Sequence, residues 1–534
     1  MKANKIFLLM TLFLSVSVSG GNGPTYTNPI LHSDYSDPDA ICVDGEFWMT
    51  SSSFNCVPGL QVLHSRDLIN WEIVSAALPG GPESYWPDAS DRVRHGDGVY
   101  APSIRYHDGM FYIFWGDPDY GIYQVHATDP AGVWSDPVLV LEGKGFIDTC
   151  PLWDDDGKVY LVHGWAGSRF GFNSMLSVCE MNEDCTAVKG EQILVFDGNK
   201  NGNGTVEGPK FYKRDGWYYI FAPAGGVKDG WQLVLRSRNI YGPYEHRVVM
   251  NQGSTDIHGP HQGAWITDAE GDDWFLHFED RYAYGRVVHL QPLKWNADGW
   301  CIIGEDKNGD GIGEPVLSYR KPKMKSSTPS VCTDAMETRT LFKGTSIPLN
   351  WQWQAQPRMD WCMMNPADGC IRLHCVKKGD GWKSLWDTPN MLLEKIAGQT
   401  MSLTAKLVFR PAYEGDRCGL AVMGENYSSL DLCYIGREVR VVRHECQGAS
   451  AGKPEAETAS VALPGNGSRF YTVYLKLTVR EGCICDFFYS TDGKTFAPLG
   501  ESFKASAGKW IGAKAGFYAI ADIKRNSGGS VEVY

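Results

Sequence analysis

A chain of 534 residues is too long for one ordinary domain and long enough for two or three. Its 50 Lys and Arg stand against 63 Asp and Glu, a formal net charge of −13, which argues against a nucleic-acid partner and suits a protein acting on neutral ligands. With 19 Trp, 25 Tyr and 60 Gly and no long helical periodicity, the profile is all-β, and its aromatics serve β cores and sugar stacking alike.

The chain opens on Met1-Lys2-Ala3-Asn4-Lys5, an apolar run from Ile6 to Val18, and Ser19-Gly20-Gly21. A basic start, a short apolar core and small residues predict a signal peptide over 1–20 and an exported protein, periplasmic or secreted. No cysteine follows to carry a lipid anchor, and no later apolar run is long enough to span a membrane.

One pattern then recurs. Asp44-Gly45 is followed by Phe47-Trp48-Met49, Asp108-Gly109 by Phe111 to Phe114, and Asp156-Gly157 by Val159 to Val162; Asp215-Gly216 is followed by Trp217 to Phe221, and Gly271 by Trp274-Phe275-Leu276. Each is a tight turn opening an aromatic or β-branched return strand. The five turn glycines lie 64, 48, 59 and 55 residues apart, which is room for one four-stranded sheet per unit. The spacing predicts a five-bladed β-propeller over 24–320. Residues 321–334, rich in Lys, Ser and Pro, read as a linker. Residues 335–534 are strand-like again, at Met401 to Phe409, Phe470 to Val479 and Gly512 to Ala519, with turns at Pro464-Gly465-Asn466-Gly467 and Thr491-Asp492-Gly493. They lack the repeat and read as a jelly-roll β-sandwich.

Asp306 to Glu314 has the acidic, Gly-rich look of a calcium loop. Leu317 stands where an EF-hand would need Glu, so the stretch reads as a turn-rich hairpin loop; a structural calcium ion stays open and no metal ligands are assigned. Fifteen cysteines, an odd number without a CxxC pair, allow no pairing to be read.

Three acids lie just before hairpins. Asp37 sits in Tyr35-Ser36-Asp37-Pro38-Asp39, Asp148 in Phe146-Ile147-Asp148-Thr149-Cys150-Pro151, and Glu207 before Gly208-Pro209. Singly each reads as a turn acid. Together, at corresponding places in separate blades, they predict an acid cluster on the propeller axis. Such a cluster suits glycoside hydrolysis: one carboxylic acid protonates the leaving oxygen, a carboxylate on the other face activates water or attacks, and a third keeps the acid protonated.

The residues carrying these features resemble glycoside hydrolase family 43. Asn28-Pro29-Ile30-Leu31 through Ser36-Asp37-Pro38-Asp39 is similar to its opening motif. Ser51-Ser52-Ser53-Phe54, His64 to Trp71, Phe146-Ile147-Asp148, Glu207-Gly208-Pro209 and Gly285-Arg286-Val287-Val288 through Trp295 follow in the family's order. The second half resembles the concanavalin A-like sandwich of the β-xylosidase and α-L-arabinofuranosidase branch, at Leu349 to Trp353, Gly419 to Gly424 and Lys509 to Lys514. The resemblance implies Asp37 as general base, Glu207 as general acid and Asp148 as the residue that orients and tunes Glu207. Ser36 and Asp39 depart from the family's usual residues, which leaves Asp39 as a rival to Asp37. By the same resemblance Arg286 reaches the sugar hydroxyls or the acids, His261 lies at the pocket floor, and Phe54 and Tyr100 wall the subsite. A loop of the sandwich narrows the pocket. The implied function is exo-acting, inverting release of terminal arabinofuranose or xylose from plant cell-wall polysaccharides or oligosaccharides, with no required cofactor. The alternatives are a non-catalytic carbohydrate-binding protein and a retaining propeller hydrolase of fructans.

Overall fold

A computed structural model describes residues 24–80, 92–323, 342–464 and 469–534. The expected signal peptide, the expected linker beyond 323 and most of the turn after Pro464 lie outside the described residues.

Five four-stranded antiparallel sheets follow one another in sequence. Their first strands are Asp39–Val43, Tyr100–His107, Phe146–Trp153, Lys210–Arg214 and His261–Thr267. These strands meet around a common axis, and the fifth closes the ring against the first. The sheets are the blades of a five-bladed propeller. The recurrent turns are where the sequence puts them. Asp44, Asp108 and Asp215 have φ of 54°, 46° and 50°, and the glycines after them 85°, 80° and 70°. Two left-handed residues in succession make the turn whose twist matches the strands, and Asp-Gly tolerates it best.

Each blade buries a face against the next. Tyr160, Val162 and Leu176 of blade 3 pack on Phe211, Ile220 and Leu233 of blade 4. Tyr219, Phe221 and Val234 on that blade's other face pack on Phe275, Leu293 and Trp300 of blade 5. The ring is tied shut from outside. The leader strand Thr25–Thr27 pairs with Ser318–Arg320, and Asn28 Nδ2 donates to both Leu290 O and Val316 O at 2.8 Å.

The second domain is a sandwich of two eight-stranded sheets. Met401–Arg410 pairs with Tyr471–Arg480 from Met401↔Val479 to Phe409↔Tyr471. Along Tyr471–Arg480 every second residue is buried, the period of a strand with one face on the core. The acidic stretch 306–314 is a hairpin loop, as its sequence suggests: Asp306 spends both carboxylate oxygens on the N–H groups of Gly309 and Gly311. Apart from Cys42, the described cysteines are free thiols.

The two domains share a core. The apolar layer between blades 1 and 2, with Val57, Leu60, Ile104 and Trp115, runs on into the sandwich through Trp351 and Trp353. Val57 and Trp353 exchange main-chain hydrogen bonds at 3.0 and 2.6 Å. On the far side of blade 1, Ala513 N–H donates to Ala283 O at 2.8 Å, and Gly512 lies so near the Tyr284–Gly285 backbone that a Cβ on it would stand 2.7 Å from Gly285 N. Backbone cannot yield as a flexible side chain does. Gly512→Ala is therefore expected to push the sandwich loop off the propeller, lowering the thermal midpoint by an overpacking cost of about 1–3 kcal/mol, with a matching loss of activity. A calorimetric scan beside an activity assay checks this; an unchanged midpoint and rate would show the close approach to be unimportant.

Candidate active site

At one end of the axis every blade makes the same backbone excursion. Asp37, Ala101, Asp148, Gly208 and Gln262 have φ of 55°, 33°, 58°, 59° and 38°. Asp37 and Gly208 lie just before the first strand of their blades, and Ala101, Asp148 and Gln262 within its first three residues. In blades 2, 3 and 5 the ladder slips a residue there, between Tyr100 and Ser103, Ile147 and Cys150, and His261 and Gly263. Bulges of this kind re-aim side chains beside active sites. Four of the five residues are not glycine and carry the strain of the left-handed region. Asp37 and Asp148 occupy this kink itself, whereas Glu207 and His261 stand one residue before it. The three acids are thus not strictly equivalent in position, as the sequence suggested, yet they converge.

Asp37 is 5% exposed and fully engaged. Ser52 Oγ donates to its Oδ2 at 2.6 Å, and Arg286 NH1 reaches Oδ1 at 3.1 Å and Oδ2 at 3.3 Å. The Arg286 guanidinium lies 4.8 Å from the Phe278 ring centre and 6.0 Å from that of Trp510, which the sandwich supplies. Asp148 is buried and accepts the Gly208 N–H at 2.9 Å. Burial pushes its carboxyl well above the usual range, and the charges of Glu207 and then Asp37 push it further; Lys210 works against them. Lys210 is wholly buried and donates to Pro102 O at 2.7 Å. Glu207, whose side chain is 36% exposed, is the open member of the trio, with Oε1 2.9 Å from His261 Nε2. His261 is buried, and its Nδ1 has no partner among the described residues.

The other expected residues take supporting places. Phe54 is buried and packs edge to face on Tyr100, ring centres 5.1 Å apart. The Tyr100 hydroxyl donates to Gly96 O, and burial raises its pKa, with Asp97 adding to the effect. Asp39, the rival of Asp37, faces elsewhere. It is completely buried and accepts from Arg105 NH1 at 2.6 Å and from Ile104 N–H at 2.8 Å, an ion pair between blades 1 and 2.

Four residues at the site escaped assignment from sequence. Ser52 stands inside Ser51-Ser52-Ser53-Phe54 and Lys210 directly follows Glu207-Gly208-Pro209, and their polarity among small and apolar neighbours is the signal the sequence carries. Trp510 sits in the sandwich at φ 66°, half exposed, 473 positions beyond Asp37 (510 − 37). Asp34 ties that loop down: its Oδ2 accepts Gly512 N–H at 3.0 Å and its Oδ1 accepts Arg286 N–H at 2.9 Å.

Comparison with known proteins bears on the family and the fold. A family model described as Glycosyl hydrolases family 43 matches residues 26–301, and one described as Beta xylosidase C-terminal Concanavalin A-like domain matches 339–533. A protein of Xylanibacter ruminicola that carries a beta-xylosidase name is 35% identical over 514 residues, 94% of this chain and 88% of that protein. A non-reducing end alpha-L-arabinofuranosidase of Bacteroides ovatus is 29% identical over 480 residues, 86% of this chain and 83% of that one. The crystal structure of a mutant GH43 protein from Bacillus licheniformis aligns with a TM-score of 0.81 at 24% identity over 96% of this chain and 98% of that one, a likeness of fold.

The two neighbouring aspartates are expected to fail differently. Asp39→Asn strands the Arg105 charge and costs about 3–5 kcal/mol of stability, whereas Asp37→Asn unpairs Arg286 but also removes one of three crowded carboxyl charges, so it lowers the melting temperature less and removes activity. Thermal scans and assays of both variants separate them; the reverse pattern would make Asp39 the reacting group. Asp148 carries a pH signature. Its folded pKa is raised, so from about pH 4, where an unfolded aspartate ionises, the folded chain keeps a proton that the unfolded chain has released. Stability from this group falls as pH rises through that window and levels off above the folded pKa. Asp148→Asn removes the fall, so the melting temperature of the variant relative to wild type should climb from pH 4 upward; a constant difference would contradict the buried, proton-holding carboxyl.

Proposed function

The chain belongs to glycosyl hydrolases family 43, and on that premise we propose that it is an exo-acting, inverting glycosidase releasing a terminal pentose, β-D-xylose or α-L-arabinofuranose, from plant cell-wall oligosaccharides or polysaccharides. The observation carrying the proposal is the meeting of Asp37, Asp148 and Glu207 from three separate blades, with Gly208 N–H on Asp148 and with burial, then the charges of Glu207 and Asp37, pushing Asp148 up. A binding protein gains nothing from three crowded carboxyls; a hydrolase needs them.

In the proposed reaction Asp37 takes a proton from water as the water oxygen bonds to the anomeric carbon. The bond from that carbon to the leaving oxygen breaks, and the leaving oxygen keeps the electron pair and takes its proton from Glu207. One displacement inverts configuration, which calls for about 6.5–9.5 Å between the two carboxyls. Water and two carboxyl groups suffice, and no cofactor is required. Asp148 holds the N–H of Gly208, directly after Glu207, and so orients the acid. Burial, and then the charges of Glu207 and Asp37, hold the Asp148 carboxyl well above the usual range, so Asp148 keeps a proton beside the acid. Arg286 is placed to bind sugar hydroxyls next to the base. Trp510 closes over Arg286 from the sandwich, which suits a pocket taking one chain end rather than an open cleft. The relatives' names span xylosidase and arabinofuranosidase, two pentosidase activities, and both substrates belong to the proposal. The signal peptide expected over 1–20 supports an exported enzyme that meets its substrates outside the cytoplasm.

Two measurements test this. Nitrophenyl β-D-xyloside and α-L-arabinofuranoside should show turnover of at least one; none with either, or with pentose-bearing oligosaccharides, would defeat the reading. Glu207→Ala should slow poor leaving groups by about 10²–10⁴-fold and activated ones far less. Equal losses on both would remove Glu207 from the acid's role.

A further inference from the structure

Blade 2 brings no acid to the axis, yet its kink lies against the acids of its neighbours. The first-strand bulge at Ala101-Pro102 takes two main-chain groups out of the blade's own ladder. Ala101 N–H donates to Ser52 Oγ at 2.7 Å, and Pro102 O accepts from Lys210 Nζ at 2.7 Å. Ala101 reaches this geometry at φ 33°, where a residue with a Cβ is strained. Ser52 lies just past the second strand of blade 1, Glu46–Thr50, and its own N–H donates to Ser36 O at 2.9 Å, so it is held against the residue preceding Asp37.

The direction of the Ser52 hydroxyl follows from its partners. A main-chain amide can only donate, so Ser52 Oγ is the acceptor towards Ala101. The hydroxyl has one proton, and its other near partner is Asp37 Oδ2 at 2.6 Å. That proton therefore goes to the carboxylate. Ser52 is 7% exposed, so water competes little for either bond. Arg286 NH1 spans both carboxylate oxygens at 3.1 and 3.3 Å and alone would not choose between them. Ser52 supplies the asymmetry. It occupies a lone pair of Oδ2 and fixes the carboxylate's rotation, leaving Oδ1, which among the described residues is held by Arg286 alone, to receive a proton from water.

We infer that Ser52 is a positioning residue for the general base, a hydroxyl oriented by the blade 2 bulge that fixes the rotation of the Asp37 carboxylate and so decides which oxygen faces the attacking water. A base acts on water whatever the leaving group, so loss of its alignment slows all substrates alike. Alignment of the base also matters to the reaction step rather than to sugar binding, so the effect falls on kcat.

The inference rests on the role proposed for Asp37, and the experiment separates the two. Ser52→Ala is expected to lower kcat by about ten- to a hundredfold, the worth of a hydrogen bond to a charged group. KM should stay within about twofold, and the loss should be the same on activated and poor leaving groups. Ser52→Thr and Ser52→Val add the same bulk and differ in the hydroxyl alone, so they control for any packing defect: Thr should exceed Val in kcat by a similar factor at matched melting temperature. Equal rates for Thr and Val, a loss confined to KM, or a loss that grows as the leaving group worsens would each overturn the inference. Asp37→Ala run alongside reads the parent proposal. If Asp37→Ala retains activity, the base is misassigned; if it is inactive while Ser52→Ala matches wild type, only the role of Ser52 falls.

Discussion

A left-handed residue at the axis end of each blade, φ between 33° and 59° in all five, is the constraint from which the site is built. An ordinary strand would carry the chain past the axis with its side chains alternating across the sheet. The kink breaks that alternation at one point per blade, so that Asp37 and Asp148 at it, and Glu207 and His261 just before it, come together. At four of the five positions the residue has a Cβ, at a cost of order 1–3 kcal/mol each. The blades cover that cost with the apolar layers packed between them, and the kinks are held by bonds from neighbouring blades: Ser52 between Asp37 and Ala101, and Gly208 N–H on Asp148. Position, strain and chemistry are therefore one feature of the backbone.

Charge is the second constraint on the site. Three carboxyls at one spot need cations, and two buried ones stand close, Arg286 on Asp37 and Lys210 on the Asp148 side. Neither neutralises the trio. Asp148 is left with burial and two like charges against it, and its raised pKa records the imbalance. The sandwich enters here. Its Trp510 ring and the Phe278 ring flank Arg286, and Asp34 clips the Trp510 loop to the Arg286 backbone. Shared packing through Trp351 and Trp353 fixes the sandwich to blades 1 and 2. The second domain is thus a wall of the site and not an appendage.

The sequence exposes much of this because the turns that define a propeller blade are local. A tight turn, with φ positive at its glycine in all five units and at the preceding Asp in three, needs nothing distant, so five hairpins and their spacing are legible. The acids are legible for a related reason: Pro38 and Gly208-Pro209 mark backbone that cannot be regular, and Asp37 and Glu207 sit beside them. What was hidden depends on long-range contact. Asp37 and Asp39 both flank Pro38, and distant partners tell them apart, Arg286 on Asp37 and Arg105 on Asp39. The one-residue offset of Glu207 from the position of Asp37 and Asp148 shows in the register and not in composition. Ser52 looks like any serine until Ala101 N–H gives its hydroxyl a direction. Trp510 reads as a sandwich residue until the domains are docked.

The central claim is that Asp37 and Glu207 flank one sugar ring, base on one face and acid on the other, with a water between. The configuration of the sugar at the instant of release reports that arrangement most directly. Proton NMR of the first-formed product, read before mutarotation, should show the anomer opposite to that of the substrate. First appearance of the same anomer would mean a covalent intermediate and carboxyls too close for water, and would contradict the account.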